Sequence, residues 1–451
     1  MKRQEQHKMT SRTRPQGITQ QIDRRQLLRG GSKVGLGLLL RSLATGLPPA
    51  WIAGLSSARA QEAMVRPQTL IFATSSAGDP VNVNCPGAYV DGAENNPILE
   101  SSRGDFGRAR VRAAAPWQAL PAPLRERLAF FHYSSRTAAH PEYASKMSFR
   151  GSVKNSAGNG AEMFASAVAD LSAEPLGTLQ REPVPLCREV LTIEGQPLQN
   201  LNPSELKALF APQEDQLADL RGLRDDTLNA LYAGLRVDGT GRQRRFVDRY
   251  LQSREQARSL GDQLGDLLAR LPTDPDAVNH ARDQVIAAVA LARLNIAPVI
   301  TIKIPFGGDN HQDSDLSVEA EQTISGVGHI QALWDELNAA GLEDTVSFAL
   351  LNVFGRKFQR NNQGGRNHNR HHGVMIAFGA AIQGGVYGGV TGEGQALPID
   401  PESGAGREGA SVPVEETLEA AGRSLLAALG HSRETVERRI QGGAIVSPFL
   451  R

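Results

Sequence analysis

Short apolar runs alternate with polar turns and amphipathic stretches along most of the chain. Runs rich in β-branched and aromatic residues and bounded by polar turns predict buried strands. The clearest runs are Gln68–Ala73, Leu128–Tyr133, Ala297–Ile304, Val346–Phe354 and Val374–Gly379. Amphipathic segments of helical period lie between and after the later runs. This alternation predicts an α/β fold with a doubly wound, mostly parallel sheet flanked by helices.

The segment between the second and third strand runs has a different character. From Asn202 to Leu294 the chain is charged and has a helical period. We interpret residues from about 202 to 294 as a helical segment inserted in one α/β domain that spans residues 61–451. The apolar stripe within this segment predicts helix packing and not a site. The stripe consists of Phe246, Tyr250, Leu260, Leu264, Leu267 and Leu271.

Residues 1–60 have the features of an export signal. The pair Arg24 and Arg25 precedes a moderately apolar stretch, and Ala58–Ala60 fits an A-x-A cleavage pattern. The segment resembles a twin-arginine signal peptide, which predicts recognition by the twin-arginine export machinery and cleavage after Ala60. The mature chain is then expected in the periplasm or outside the cell. Because Arg41 and two prolines break the apolar stretch, we expect no stable membrane anchor.

Composition narrows the range of functions. A formal net charge of +1 over 451 residues gives no support for nucleic-acid or membrane-surface binding. The only cysteines, Cys85 and Cys187, give no zinc spacing, and the sequence leaves open whether they form a disulfide bond or two thiols. The chain has no cysteine-pair, haem or dinucleotide glycine motif, so a redox protein is poorly supported.

Ionisable side chains follow three of the predicted strands. If these strands are parallel neighbours, the three loops open at one edge of the sheet, where side chains from separate segments meet. Carboxylates and imidazoles that converge in this way predict a divalent metal site. The candidate ligands are Asp79, Asp309, His311, Asp313 and His368. Zinc, magnesium, calcium and manganese all remain open, and Asp313 has an alternative role as a cap of the next helix.

The third loop is unusually cationic. Between Phe354 and Ile376 there are five arginine or lysine residues, three histidines and no acidic residue. Arg356 and Arg366 offer forked donors that match a phosphate or sulfate group, which predicts an anionic small molecule or ester as substrate. His368 is suited either to the metal or to protonating a leaving group. The alternative is a solvated loop at the rim of the sheet.

Several motifs in this region resemble those of a known family. They are GGDNHQD, the segment ALWDELNAAGLEDTVSFALLNVFGRKFQRNNQGGRNH, and GGVYGGVTGE. Over about Ala297–Gly392 the chain resembles the DUF1501 family, uncharacterised bacterial proteins that are commonly exported by the twin-arginine route. That family is grouped with the alkaline-phosphatase/sulfatase-like superfamily. The resemblance therefore implies an alkaline-phosphatase-like fold and metal-assisted hydrolysis of a phosphate or sulfate ester.

The family motifs transfer to this chain residue by residue. They place metal ligands at Asp79, Asp309, His311 and His368, and they place a further site residue at His140. Near Asp79, a nucleophile is expected at Ser75 or Ser76, although short hydroxyl residues are also common in turns.

The chain departs from the family at two positions that are usually acidic. One is Asn367, and the other is Asn352 or Val353. An amide brings no negative charge to a cation, and the loss of outer carboxylates weakens metal binding. These departures favour the alternative hypothesis, which is a non-catalytic periplasmic binding or assembly protein on a degenerate phosphatase-like scaffold.

Overall fold

A computed structural model describes most of the chain after residue 68. The described residues are 69–75, 78–138, 148–149, 184–187, 192–193, 196–197, 200–210, scattered positions within 227–244, 264–274, 278–295 and 297–451. The predicted signal peptide, Ser76, His140 and half of the apolar stripe (Phe246, Tyr250 and Leu260) lie outside these residues. The other half of the stripe, Leu264, Leu267 and Leu271, is buried in the core as predicted.

Fourteen strands occur among the described residues. In chain order they are β1 (Thr69–Thr74), β2 (Ser101–Phe106), β3 (Ala109–Ala114), β4 (Ala129–Tyr133), β5 (Ser148–Phe149), β6 (Val184–Pro185), β7 (Thr192–Ile193), β8 (Gln196–Pro197), β9 (Val299–Lys303), β10 (Val346–Leu351), β11 (Gly355–Arg360), β12 (Arg366–Asn369), β13 (Gly373–Phe378) and β14 (Gly385–Tyr387).

Seven of these strands form the central sheet, in the order β14-β4-β13-β10-β1-β9-β6. Strand β1 lies between β10 and β9 and is parallel to both. The β6–β9 and β14–β4 pairs are also parallel, whereas β13 runs antiparallel to both β10 and β4. The fold is therefore mixed α/β with a mostly parallel sheet.

Helices cover both faces of the sheet. In chain order they are α1 (Val81–Asn84), α2 (Ala115–Gln118), α3 (Ala122–Arg127), α4 (Pro203–Phe210), α5 (Ala281–Leu294), α6 (Ser317–Ala339), α7 (Thr417–Ala428) and α8 (Arg433–Arg439). Alternate residues of β1 enter two separate cores: Ile71 packs with α5 and α6, and Phe72 packs with α7. Burial on both faces explains why β1 is continuously apolar.

One feature differs from the sequence-based expectations. The segment expected to be an open cationic loop forms a hairpin of β11 and β12, in which Arg356 pairs with His368. Of the two alternatives that the sequence left open for the cysteines, the structure has two thiols: Cys85 and Cys187 are both buried and are not joined in a disulfide bond. Among the described residues, no helix has the length and apolar character needed to cross a membrane.

Candidate functional site

The parallel arrangement of β9, β1 and β10 brings three connections to one edge of the sheet. Thr74, the last residue of β1, pairs with Leu351 on one side and Lys303 on the other. Asp79 follows β1, the Asp309–His311 segment follows β9, and the β11–β12 hairpin follows β10. The convergence at the carboxyl ends of the strands that the sequence analysis required is therefore present.

The hairpin docks closely on the Asp309–His311 segment. The amide of Arg366 donates to the carbonyl of Asn310 over 3.2 Å, and the Asn361 side chain donates to the carbonyl of His311 over 3.1 Å. A Cβ atom at Gly365 would lie 2.1 Å from the Asn310 carbonyl oxygen, so only glycine permits this approach. Docking places His368 of the hairpin beside the Asp309–His311 segment.

Asp309, His311 and His368 form a cluster with the composition of a metal site. One ligand atom from each residue lies within 4.8 Å of the other two. The distance from His311 Nε2 to Asp309 Oδ1 is 3.2 Å, and the His311 and His368 ring centroids are 4.8 Å apart. The Asp309 side chain is 59% exposed, so an ion has access from solvent.

Hydrogen bonds orient both imidazoles of the cluster. His311 Nδ1 lies 3.2 Å from Asn367 Oδ1, and His368 Nδ1 lies 2.6 Å from the carbonyl oxygen of Ala138. Because both partners are acceptors, each Nδ1 carries the proton and each lone pair is on Nε2. Metal-binding histidines are commonly held in this way. The residues therefore fit a divalent ion, and Asn367 contributes as the partner of a ligand.

Arg356 is a buried cation inside the same cluster. Its Nη1 atom lies 3.3 Å from Asp309 Oδ1 and 3.3 Å from His311 Nε2. Its Nη2 atom donates to the carbonyls of Gly78 and Gly308. Burial lowers the pKa of the guanidinium, and the carboxylates of Asp309 and Asp79 oppose that shift. The sequence predicted that Arg356 donates hydrogen bonds to a substrate anion, but it did not predict the ion pair with Asp309.

Asp79 lies deeper in the fold, outside the three-residue cluster. Its side chain is fully buried, and its Oδ1 accepts from the amide of Val81. Burial raises the pKa of this carboxyl to about 7, opposed by the Val81 amide, the Asn352 side chain and Arg356. Its Oδ2 has no hydrogen-bond partner. Asp79 is therefore not among the three residues whose ligand atoms lie close enough together to share one ion.

Three other residues that the sequence analysis considered for the site are also buried. Ser75 is fully buried and its hydroxyl has no hydrogen-bond partner, so the structure does not present it to solvent as a nucleophile would require. Asn352 accepts from the amides of Gly78 and Val353 and so shapes the turn. Val353, at the second position considered for the missing acid, is buried in the apolar core.

Asp313 caps a helix, the alternative role that the sequence left open. Its two carboxylate oxygens accept from the amides of Val318 and Glu319 in the first turn of α6, over 3.2 and 2.8 Å. A carboxylate at this position stabilises the start of the helix. The metal-suited cluster does not include Asp313.

Arg366 occupies a buried ion pair. Its Nε donates to Glu319 Oε2 over 2.7 Å, and both side chains are 0% exposed. Its other N–H groups meet Glu319 Oε1 and the carbonyls of Lys357, Phe358 and Glu94. All five guanidinium donors are thus engaged within the protein. The expectation that Arg366 binds a substrate anion is therefore not supported by its surroundings.

A second histidine cluster, which the sequence analysis missed, lies beneath the hairpin. His132 Nδ1 is 2.9 Å from His372 Nε2, and His132 Nε2 is 2.9 Å from the carbonyl of Pro86. His372 Nδ1 faces the Asn82 amide group, whose orientation is fixed by the backbone of Arg356. Burial lowers the pKa of His132 to about 4 and lowers that of His372 well below its usual value.

Comparisons with known proteins agree with the resemblance noted in the sequence. No curated protein matches the chain. Residues 251–400 match a family described as "Protein of unknown function (DUF1501)". The matched segment contains Asp309, His311, Arg356 and His368, whereas Asp79 lies before it. The match covers about a third of the 451 residues, and over that third the chain is similar to the DUF1501 family.

Proposed function

We propose that this protein binds one divalent metal ion through Asp309, His311 and His368 and hydrolyses a phosphate or sulfate ester on an alkaline-phosphatase-like scaffold. The observation that carries the metal site is the cluster of three ligand atoms within 4.8 Å. The orientation of both imidazoles toward it by acceptors at Nδ1 supports the same site. The hydrolytic part rests on the family resemblance.

The ligand set favours some metals over others. Two imidazoles and one carboxylate suit zinc and related transition metals, whereas magnesium and calcium prefer all-oxygen sites. Three protein ligands leave a coordination position open, as catalytic zinc sites do. A bound ion would supply Lewis-acid polarisation of an ester oxygen. Asp309 supplies the negative charge of the ligand set, while Asn367 and the carbonyl of Ala138 hold the imidazoles in place.

Metal analysis and an activity panel test this proposal. We expect protein purified without chelating agents to contain about one zinc ion per chain, and we expect His311→Ala and His368→Ala to lose it. Aryl phosphates and aryl sulfates should be cleaved by the zinc-loaded protein and not by these variants. His371→Ala, at an exposed histidine on the same loop, is the matched control and should keep both properties.

The second candidate is a metal-binding protein without hydrolytic activity. Two observations favour it: Arg356 already neutralises Asp309, and Val353 is an apolar residue buried at one of the two positions considered for the missing acid. The burial of Ser75, the one candidate nucleophile among the described residues, is consistent with both candidates. Zinc that binds through the histidines without cleavage of any ester in the panel would select this candidate.

We also propose that the protein is exported by the twin-arginine route. The paired arginines Arg24 and Arg25 and the cleavage pattern at Ala58–Ala60 support a twin-arginine signal. Replacement of both arginines by lysine should hold the protein in the cytoplasm as an uncleaved chain. Fractionation of cells that express each form checks this, and periplasmic protein from the lysine variant would contradict it.

A further inference from the structure

The Arg356 guanidinium lies against two of the three candidate metal ligands. Its Nη1 atom is 3.3 Å from both Asp309 Oδ1 and His311 Nε2, which are themselves 3.2 Å apart. The His311 tautomer set by Asn367 leaves Nε2 as an acceptor, so Nη1 contacts the same lone pair that a metal ion would use. The arginine and a metal ion therefore compete for two of the three ligands.

Contacts on the rest of Arg356 hold the residue in place. Its backbone amide and carbonyl both bond to the Asn82 side chain, and its Nη2 donates to Gly78 and Gly308 over 2.9 and 3.1 Å. The contacts of Nη1 are longer, at 3.3 to 3.4 Å, and Nε has no partner. The guanidinium is thus anchored at Nη2 and more weakly held at Nη1.

The positive charge of Arg356 opposes binding of a metal ion at Asp309 and His311. Asp309 is the one carboxylate in the ligand cluster, and in this structure its charge is balanced by Arg356. An ion at bonding distance from Asp309 and His311 would lie close to a buried positive charge, which repels it. Binding of the ion then requires Nη1 to move away from both ligands.

We propose that Arg356 is a resident cation that competes with the metal ion for Asp309 and His311, and so sets the metal affinity of the site. This inference rests on the proposed metal site and adds the residue that controls its affinity. The metal-free site is stabilised by the guanidinium, and metal binding displaces Nη1.

Arg356→Met tests the competition in the full chain, because methionine is unbranched and uncharged. Zinc affinity is measured by competition with a chromophoric chelator at pH 7.5. We expect Arg356→Met to bind zinc at least tenfold more tightly than the wild type. Lys357→Met is the matched control, since Lys357 is exposed on the next residue of β11 and carries the same charge. It should stay within about threefold of the wild type.

The outcomes separate the two proposals. If the wild type binds zinc through His311 but Arg356→Met binds it equally or more weakly, the competition is wrong and the metal site stands. An equal gain in Lys357→Met would also overturn it, because general charge would then be responsible. If neither the wild type nor Arg356→Met binds zinc, both proposals fail.

Loss of the Gly78 and Gly308 contacts will lower the stability of Arg356→Met, so folding is checked by circular dichroism. If it does not fold, Arg356→Lys decides the question. One ammonium group cannot span Gly78 and Asp309 as the forked guanidinium does. We expect Arg356→Lys to bind zinc more tightly than the wild type, and an unchanged or lower affinity would overturn the proposal.

Discussion

The amide oxygen of Asn367 lies 3.2 Å from Nδ1 of His311 and fixes the tautomer of that histidine. The sequence indicated that Asn367 replaces a residue that is usually acidic in the resembled family. Its amide oxygen still accepts the hydrogen bond from His311 that a carboxylate would accept. Asn361 donates to the same oxygen over 3.3 Å, which supports this orientation of the amide. The residue acts through His311 and does not need to touch the metal ion.

Asn367→Ala should weaken zinc binding by roughly 10–100-fold, the usual effect of losing a partner of a metal-binding histidine. Asn367→Asp should bind zinc more tightly than the wild type, because a carboxylate raises the basicity of the imidazole. Chelator competition measures both. Asn362→Ala, at an exposed asparagine in the turn of the same hairpin, should leave the affinity unchanged, and equal affinities in all three variants would remove Asn367 from the site.

The Glu319–Arg366 ion pair predicts a large effect on stability. Glu319→Gln should lower the free energy of unfolding by about 3–5 kcal/mol, since it leaves the buried guanidinium without a counter-charge. Urea denaturation measures this loss. Glu437→Gln breaks the exposed pair with Arg433 on α8 and serves as the control, with no measurable loss expected. A Glu319→Gln protein as stable as the wild type would contradict the assigned role.

The His132–His372 pair predicts a loss of stability in acid. The folded-state pKa of His132 is lowered to about 4, so between pH 6.5 and 4 the unfolded chain binds more protons than the folded chain. Stability conferred by the neutral pair is therefore complete above pH 6.5 and is lost as the pH falls toward 4, by roughly 3 kcal/mol for His132 alone.

His132→Gln tests this linkage because glutamine keeps an N–H donor for Pro86 and does not titrate. The variant should be less stable than the wild type at pH 7.5, yet its stability should fall less between pH 6.5 and 4. Urea denaturation over this range measures both effects. Parallel pH profiles for the two proteins would show that His132 does not contribute.

Asp79 predicts a pH effect of opposite sign. Its folded-state pKa is raised to about 7, so between pH 4 and 7 the folded chain binds more protons than the unfolded chain. Its contribution therefore becomes more unfavourable as the pH rises through this range. Asp79→Asn should raise stability at pH 8 by roughly 4 kcal/mol relative to the wild type, and this gain should vanish near pH 4.

Zinc binding by the Asp79→Asn variant shows whether Asp79 is a metal ligand, as the sequence predicted, or a buried acid outside the ligand cluster. A buried acid that lies outside the ligand cluster predicts an unchanged zinc stoichiometry in Asp79→Asn, whereas a metal ligand predicts loss of zinc. Asp335→Asn, which removes one negative charge from an exposed position on α6, controls for the change in net charge. Loss of zinc in Asp79→Asn alone would return Asp79 to the ligand set.

The sequence predicted the elements whose burial is reflected in an apolar pattern. Strands β1, β9 and β10 are short apolar runs, and their parallel order brings Asp309 and His311 to the edge expected for a site. The same pattern did not predict β11 and β12, because the buried faces of this hairpin carry Arg356 and Arg366. Two buried arginines leave no apolar alternation to recognise.

Individual roles were less predictable because they depend on partners that are distant in the sequence. The sequence predicted that Arg366 binds a substrate anion. In the fold it forms an ion pair with Glu319, which lies on α6 and 47 residues away in the sequence. Asp309, His311 and His368 could be selected by residue type and by the edge of the sheet that they share. The Arg356 contact with two of them requires coordinates.

Anomalous diffraction from crystals soaked in zinc tests the metal site most directly. The account predicts one strong peak at about 2.0–2.2 Å from a carboxylate oxygen of Asp309 and the Nε2 atoms of His311 and His368, with Arg356 Nη1 moved away from Asp309. No peak at this cluster, with Arg356 still bound to Asp309 at saturating zinc, would contradict it.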